Sequence, residues 1–313
     1  MRSFRRVLYS RIGLAFSLAT LMLLLGVSLS TQSVSANHPV LVEGNCDSPV
    51  PGTTLVTLGT CGDFDGDGRI GTAEDTDGAD RIFGTLRAAL GPGTGAAAGT
   101  GANWNGSITI VRSGRFAETL FIGNDTLAPP GEGTATPGNV TIEAAPGVEA
   151  NINAVQQGAP AGTNVTRQGS TGIQISYATN DRRVILRNLI ISNYNTGVAI
   201  TNESRVTIDN CRFENNLNFG IRAQNNAIVG VFDSRVSSTG FRLGGGGSAS
   251  TPSFGHGILF ENFSSGDVSH SHVTGSFGAA LANAGTGLVT YYELFLGDNQ
   301  QGPILGATRN NTP

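Results

Sequence analysis

The chain has 313 residues, 45 of them Gly, with 39% apolar and 13% charged side chains and a formal net charge of −4. Its basic residues are all Arg, and the low charge with ordered apolar recurrence excludes a disordered composition. A net acidic chain also argues against nucleic acid or an anionic membrane as partner.

Arg2, Arg5, Arg6 and Arg11 precede the apolar run 12–29, which is followed by Val34-Ser35-Ala36. A basic start, an apolar stretch and small residues at −3 and −1 predict a secretory signal over 1–36, cleaved after Ala36. An uncleaved anchor is the alternative. Removal of the signal leaves 15 Arg against 23 acids, a net charge of −8. No later apolar run is long enough to span a bilayer, so a secreted or periplasmic product is expected.

Residues 37–80 predict an extended N-terminal segment. Cys46 and Cys61 lie close together in it, and in an exported chain a disulfide is the favoured reading. Closing that loop would contribute roughly 3 kcal/mol in the chain-entropy picture. Asp63, Asp65, Asp67, Gly68 and Glu74 then match D-x-[DN]-x-[DN]-G-x5-E at every specified position. Asp63, Asp65 and Asp67 supply hard oxygens, Gly68 permits the sharp turn, Arg69 offers its carbonyl, and Glu74 can bind bidentately. A structural Ca2+ is the expected cofactor. The loop resembles those of dockerins and other single-loop extracellular calcium modules, and no second complete loop pairs with it.

The run 82–90 places Phe83, Leu86 and Leu90 on one helical face, with Asp80 as N-cap and Gly91-Pro92 as stop. A short capping helix over the first edge of a stacked sheet is predicted. Strands are expected at 107–111, 114–122, 139–143 and 150–153. From Arg182 onward the chain repeats itself. Leu186, Ile208, Val231, Val268 and Thr290, taken as equivalent, are separated by 22, 23, 37 and 22 residues. The long step contains the Gly/Ser-rich run 244–253, read as a loop inserted in one turn. Units too small to bury a core alone, at a fixed period, mark a stacked array.

By alternation, Val184, Leu186, Leu189 and Ile191 face inward, while Ile185, Arg187 and Ile190 face out. Asn188, Asn210, Asp233 and His270 fall at one turn, where stacked side chains can satisfy backbone groups. Cys211 occupies the position of Leu189, Ser234 and Ser271 and reads as a small buried side chain.

Gly114-Arg115-Phe116-Ala117-Glu118, followed by Asn139-Val140-Thr141-Ile142, resembles the opening rungs of right-handed parallel β-helix proteins of the pectin-lyase-like superfamily. Gly172-Ile173-Gln174-Ile175, Gly197-Val198-Ala199-Ile200 and Gly220-Ile221-Arg222-Ala223 resemble their third-sheet strands. The resemblance implies an all-β right-handed parallel solenoid over 81–305 with a tail at 306–313. It also implies action on, or binding to, acidic polysaccharide.

Candidate chemistry is sparse. Gly255-His256-Gly257 resembles a polygalacturonase signature, but its paired Asp residues are absent. The pectinesterase and pectate-lyase motifs are missing. An outward column of Arg212, Arg235 and His272, with Glu214 beside Arg212 and Arg222 on the neighbouring sheet, suits the carboxylates of a uronic-acid chain. If the protein is a lyase, Arg212 or Arg235 would be base or charge neutraliser and His272 a helper. The balance favours an exported carbohydrate-interacting or cell-surface protein. A polysaccharide lyase or hydrolase and a scaffold or adhesin stay open, the last with contacts through the C-terminal end.

Overall fold

Each winding of the chain repeats one motif: an alternating strand, a left-handed corner, a short strand, a second corner and a third strand. The computed structural model describes residues 40–42, 82–83, 86–90, 106–123, 139–154, 171–176, 183–240, 255–306 and 308–310. Among these, every strand pairing is parallel, and the strands fall into three sheets.

The first sheet has ten described strands. Val40–Val42 lies between Ile82–Phe83 and Gly106–Ile110, and the sheet continues through Val140–Ala144, Arg183–Arg187, Arg205–Asp209, Ile228–Phe232, Ser265–Ser269 and Val289–Tyr292 to Arg309–Asn310. The second stacks Gly114–Phe116, Ala150–Asn153, Leu189–Ser192, Arg212–Glu214, Arg235–Ser237, His272–Thr274 and Phe295–Gly297. The third stacks Leu120–Gly123, Thr171–Ser176, Thr196–Thr201, Phe219–Ala223, His256–Phe260, Leu281–Asn283 and Ile304–Gly306. The chain is thus an all-β parallel β-helix, as the repeats imply. The tetrapeptides beginning at Gly172, Gly197 and Gly220 do form third-sheet strands.

Alternation sets what goes inside. Ile108, Ile142, Leu186, Ile208, Val231 and Val268 stack in register, all fully buried. Burial of each such side chain contributes on the order of 1.5–3 kcal/mol. The same core takes in Phe213, Tyr194 and Phe260.

The corners explain how the chain closes each winding. Asn188, Asn210, Asp233, His270 and Glu293 all have φ between 47° and 57° at the first corner. Asn and Asp tolerate this left-handed region best. The Asn210 Nδ2 donates to Asn188 Oδ1 at 2.8 Å, and Asn188 Nδ2 donates to the Ala144 carbonyl at 3.2 Å. Two further corner columns exist: Asn193, Asn215, Ser238, Gly275 and Asp298, and then Asn202, Asn225 and Asn262. In the latter, Asn262 Nδ2 donates to Asn225 Oδ1 at 2.7 Å.

Behind the second corner, Asn216 is buried and bridges two windings. Its Oδ1 accepts the Tyr194 N–H at 3.1 Å, and its Nδ2 donates to the Ile191 carbonyl at 3.2 Å. Asn299 repeats the device on Ser276 and Val273. The chain then passes through Gly172, Gly197, Gly220 and Gly257, where space for a side chain is lacking. A Cβ on Gly197 would lie 2.5 Å from the Gly220 carbonyl oxygen and 3.0 Å from Phe213 Cδ1.

Three expectations need correction. The last repeat is out by one residue: Val268 pairs with Tyr291, while Thr290 pairs with Asp267 and bonds its carboxylate at 2.8 Å. Val289 is the fully buried member of that strand, so alternation favours the shifted register. Second, Ile82–Phe83 is a strand rather than the start of a helix, paired with Leu41 and Val42. The β-favouring Ile-Phe pair finds a sheet edge there. The helix is the single turn Leu86–Leu90, with Leu86, Ala89 and Leu90 in the core and the Leu86 N–H donating to Glu118 Oε1 at 3.0 Å. Third, Ile190 faces away from the core but is only 8% exposed, for a reason that belongs to the site.

Residues 1–36, Cys46 and Cys61, the calcium-type loop 63–74 and the run 244–253 lie outside the described residues. No helix of the described residues is long and apolar enough to cross a membrane.

Candidate functional site: the outer face of the second sheet

Second-sheet strands are three or four residues long, so each presents one or two inward residues alternating with outward neighbours. In Arg212-Phe213-Glu214 the middle ring is fully buried, and the flanking side chains point out. Register then builds columns. Arg212 pairs with Arg235, and Arg235 with His272, which is the column expected from the sequence. Below Arg212 the column continues through Ile190 and Asn151 to Arg115. Neighbouring rungs in such a sheet are about 4.8 Å apart.

The cations of this column are not equivalent. Arg212 donates to Glu214 Oε1 through Nε at 3.0 Å and Nη2 at 2.8 Å, and its Nη1 lies 3.7 Å from Glu149. Two carboxylates therefore hold that guanidinium in place. Arg212 and Glu149 are exposed and Glu214 is partly so, so the pairs contribute little to stability; their effect is to orient Arg212. Arg235 is exposed; its backbone N–H donates to the Cys211 carbonyl at 2.8 Å, but its guanidinium has no hydrogen bond or ion pair among the described residues. Among the described residues, Arg235 and Arg115 at the far end are the guanidinium groups of the column without a counter-ion.

Glu149 arrives from the corner Ala145-Pro146-Gly147-Val148, longer than its counterparts. Pro146 and Gly147 (φ +79°) suit the central positions of a type II turn, closed by the Val148 N–H on the Ala145 carbonyl at 3.0 Å. This turn walls one side of a groove of about 380 Å³ whose other lining includes Asn188, Ile190, Asn210 and Arg212. Ile190 is the outward residue beneath that wall, which is why it is nearly buried. The volume falls within the usual range of ligand clefts.

The remaining candidates lie elsewhere. Arg222 sits on the third sheet; its Nε donates to Glu261 at 2.6 Å and its guanidinium carbon stands 5.0 Å over the Phe219 ring. It does not join the column. Asp209 pairs with Arg187 on the first sheet at 2.9 Å, and this bond is the main cause holding the Arg187 pKa above its ordinary value. His256 is buried, and its Nδ1 accepts the Ala279 N–H at 2.9 Å, a structural role. His270 takes the first corner, 3.1 Å from Glu293. Among the described residues no three of His, Cys, Asp and Glu gather as a metal cluster. Burial pushes the Cys211 thiol up to about 12, which makes it an inert core side chain.

Sequence reasoning missed Phe295. The one-residue slip in the last repeat placed Leu294 opposite His272, whereas the structure pairs His272 with Phe295. Glu293 takes the left-handed corner held by His270 and Asp233, but as a Glu it gave no sequence mark of that corner. The groove under the 145–149 turn was also missed, though Pro-Gly at the corner marked a turn.

No curated protein and no solved structure matches the chain. The model of the right-handed beta helix region matches residues 134–293, half of the chain, a span that contains the groove and the column from Asn151 to His272. With three parallel sheets wound in the same order at each repeat, the chain belongs to the right-handed β-helix region family.

Proposed function

We propose that this is an exported carbohydrate-binding β-helix protein that takes an anionic polysaccharide on the outer face of its second sheet. The observation that carries the reading is Arg235: a guanidinium without a protein counter-ion among the described residues, one rung from Arg212 and one from His272. A free fork of donors matches a carboxylate bidentately. The groove beside Arg212 gives a sugar chain somewhere to lie.

Binding is favoured over hydrolase chemistry by the state of the nearest acids. Glu149 and Glu214 both face Arg212, an arrangement that holds a cation rather than poising an acid and a base about a glycosidic bond. The test is calorimetric titration with polygalacturonate at low salt, with product absorbance followed in parallel. Binding that weakens with salt and about tenfold in Arg235→Ala, with no unsaturated product, is expected. Absence of binding, or an unaffected Arg235→Ala, overturns the reading.

Export rests on the signal at 1–36, and amino-terminal sequencing of secreted protein should begin at Asn37. The Ca2+ expected at Asp63, Asp65, Asp67, Arg69 and Glu74 rests on the chemistry of that donor set alone. A chelator should lower the melting temperature, and an unchanged value with no ion in calorimetry removes the calcium.

A further inference from the structure

Beyond His272 the column ends on an aromatic ring. Phe295 is 59% exposed, although its neighbour Leu296 turns inward against the core. The ring leans over Gly297: a Cβ there would meet Phe295 Cε1 at 3.2 Å and Cζ at 3.5 Å. On its other side the His272 ring lies 5.3 Å away, centroid to centroid, with the planes 36° apart. The Thr274 methyl lies near the same glycine, 3.7 Å from the position of that Cβ. The result is a shallow surface of two rings beside a residue with no side chain.

Phe and His together suit a pyranose. The C–H face of the sugar covers the phenyl ring, whose π face is electron-rich, and imidazole nitrogens can bond a ring hydroxyl. The geometry points to Phe295 and His272 as a stacking platform for one sugar ring of a chain whose neighbouring carboxylate is held by Arg235. Arg235 and Phe295 are two rungs apart, about 10 Å. The bound chain therefore runs along the solenoid axis, across the strands, with its charged part toward Arg212 and a stacked ring at the C-terminal end. This assignment rests on the reading of the second sheet as a polyanion-binding face.

The experiment titrates a polygalacturonate oligomer at two salt concentrations into the full chain and its Arg235→Ala, Phe295→Leu and Phe295→Trp variants. Covering an aromatic face sets the scale of the loss. Phe295→Leu should bind about tenfold more weakly, with the salt dependence of the parent. Phe295→Trp should bind like the parent and shift its fluorescence on binding. Arg235→Ala should weaken binding and flatten its salt dependence. Phe295→Leu binding like the parent while Arg235→Ala does not overturns the platform and leaves the binding face standing. No binding by the parent overturns both.

Discussion

Gly197→Ala is the sharpest test of how the windings are stacked. The added Cβ would lie 2.5 Å from the Gly220 carbonyl oxygen, 3.0 Å from Asn216 Nδ2 and 3.0 Å from Phe213 Cδ1. Ordinary Cβ contacts begin near 3.4 Å, so the rungs would have to part by most of an ångström at the carbonyl. That oxygen belongs to the backbone of the next winding, Phe213 fills the core, and Asn216 clamps Tyr194 to Ile191. None of the three can swing away cheaply. Overpacking of this kind costs about 1–3 kcal/mol, and the upper half of that range is expected here. Gly114→Ala is the control, since a Cβ there meets nothing within 4 Å. It should leave stability within about 1 kcal/mol of the parent. Urea unfolding followed by far-ultraviolet dichroism measures both, with unchanged m-values licensing the comparison. Gly197→Ala as stable as Gly114→Ala would refute the packing argument.

Three other outcomes follow from the same structure. Asn216→Ala leaves the Tyr194 N–H and Ile191 carbonyl without partners and should cost about 2–4 kcal/mol in the same urea assay. Cys211 keeps its proton in the folded chain up to about 12 but loses it near 9.0 when unfolded, so between those values the folded state binds more protons and stability falls as pH rises. The slope is up to about 1.4 kcal/mol per pH unit, and Cys211→Ala, compared by denaturant titration across that window, should remove it. Ile208→Ala should cost about 2–5 kcal/mol by cavity formation in the same assay, because Ile208 is fully buried between Leu186 and Val231.

Much of this architecture is legible in the sequence because the β-helix writes two signals at once. Leu186, Ile208, Val231 and Val268 recur with inward alternation, and Asn188, Asn210, Asp233 and His270 mark the corner that follows. Where both signals agree, register is recovered to the residue. At Val289-Thr290-Tyr291-Tyr292 the alternation is ambiguous and Glu293 is an unusual corner residue, so the register slipped and Phe295 left the column. The second corner was illegible because Asn193, Asn215, Ser238, Gly275 and Asp298 share a backbone conformation but no side-chain type. The near burial of Ile190 depends on the length of a corner one winding away, which no local pattern encodes. Ile82-Phe83 fitted a helical face as well as a strand, and the pairing with Leu41-Val42 was decided by tertiary contact.

The binding face can be tested directly by hydrogen exchange of the full chain with and without polygalacturonate at low salt. Slowed exchange confined to Arg212–Glu214, Arg235–Ser237, His272–Thr274, Phe295–Gly297 and the 145–149 turn is the expected result. Slowing that instead falls on third-sheet strands such as Phe219–Ala223, or that appears nowhere, would contradict it.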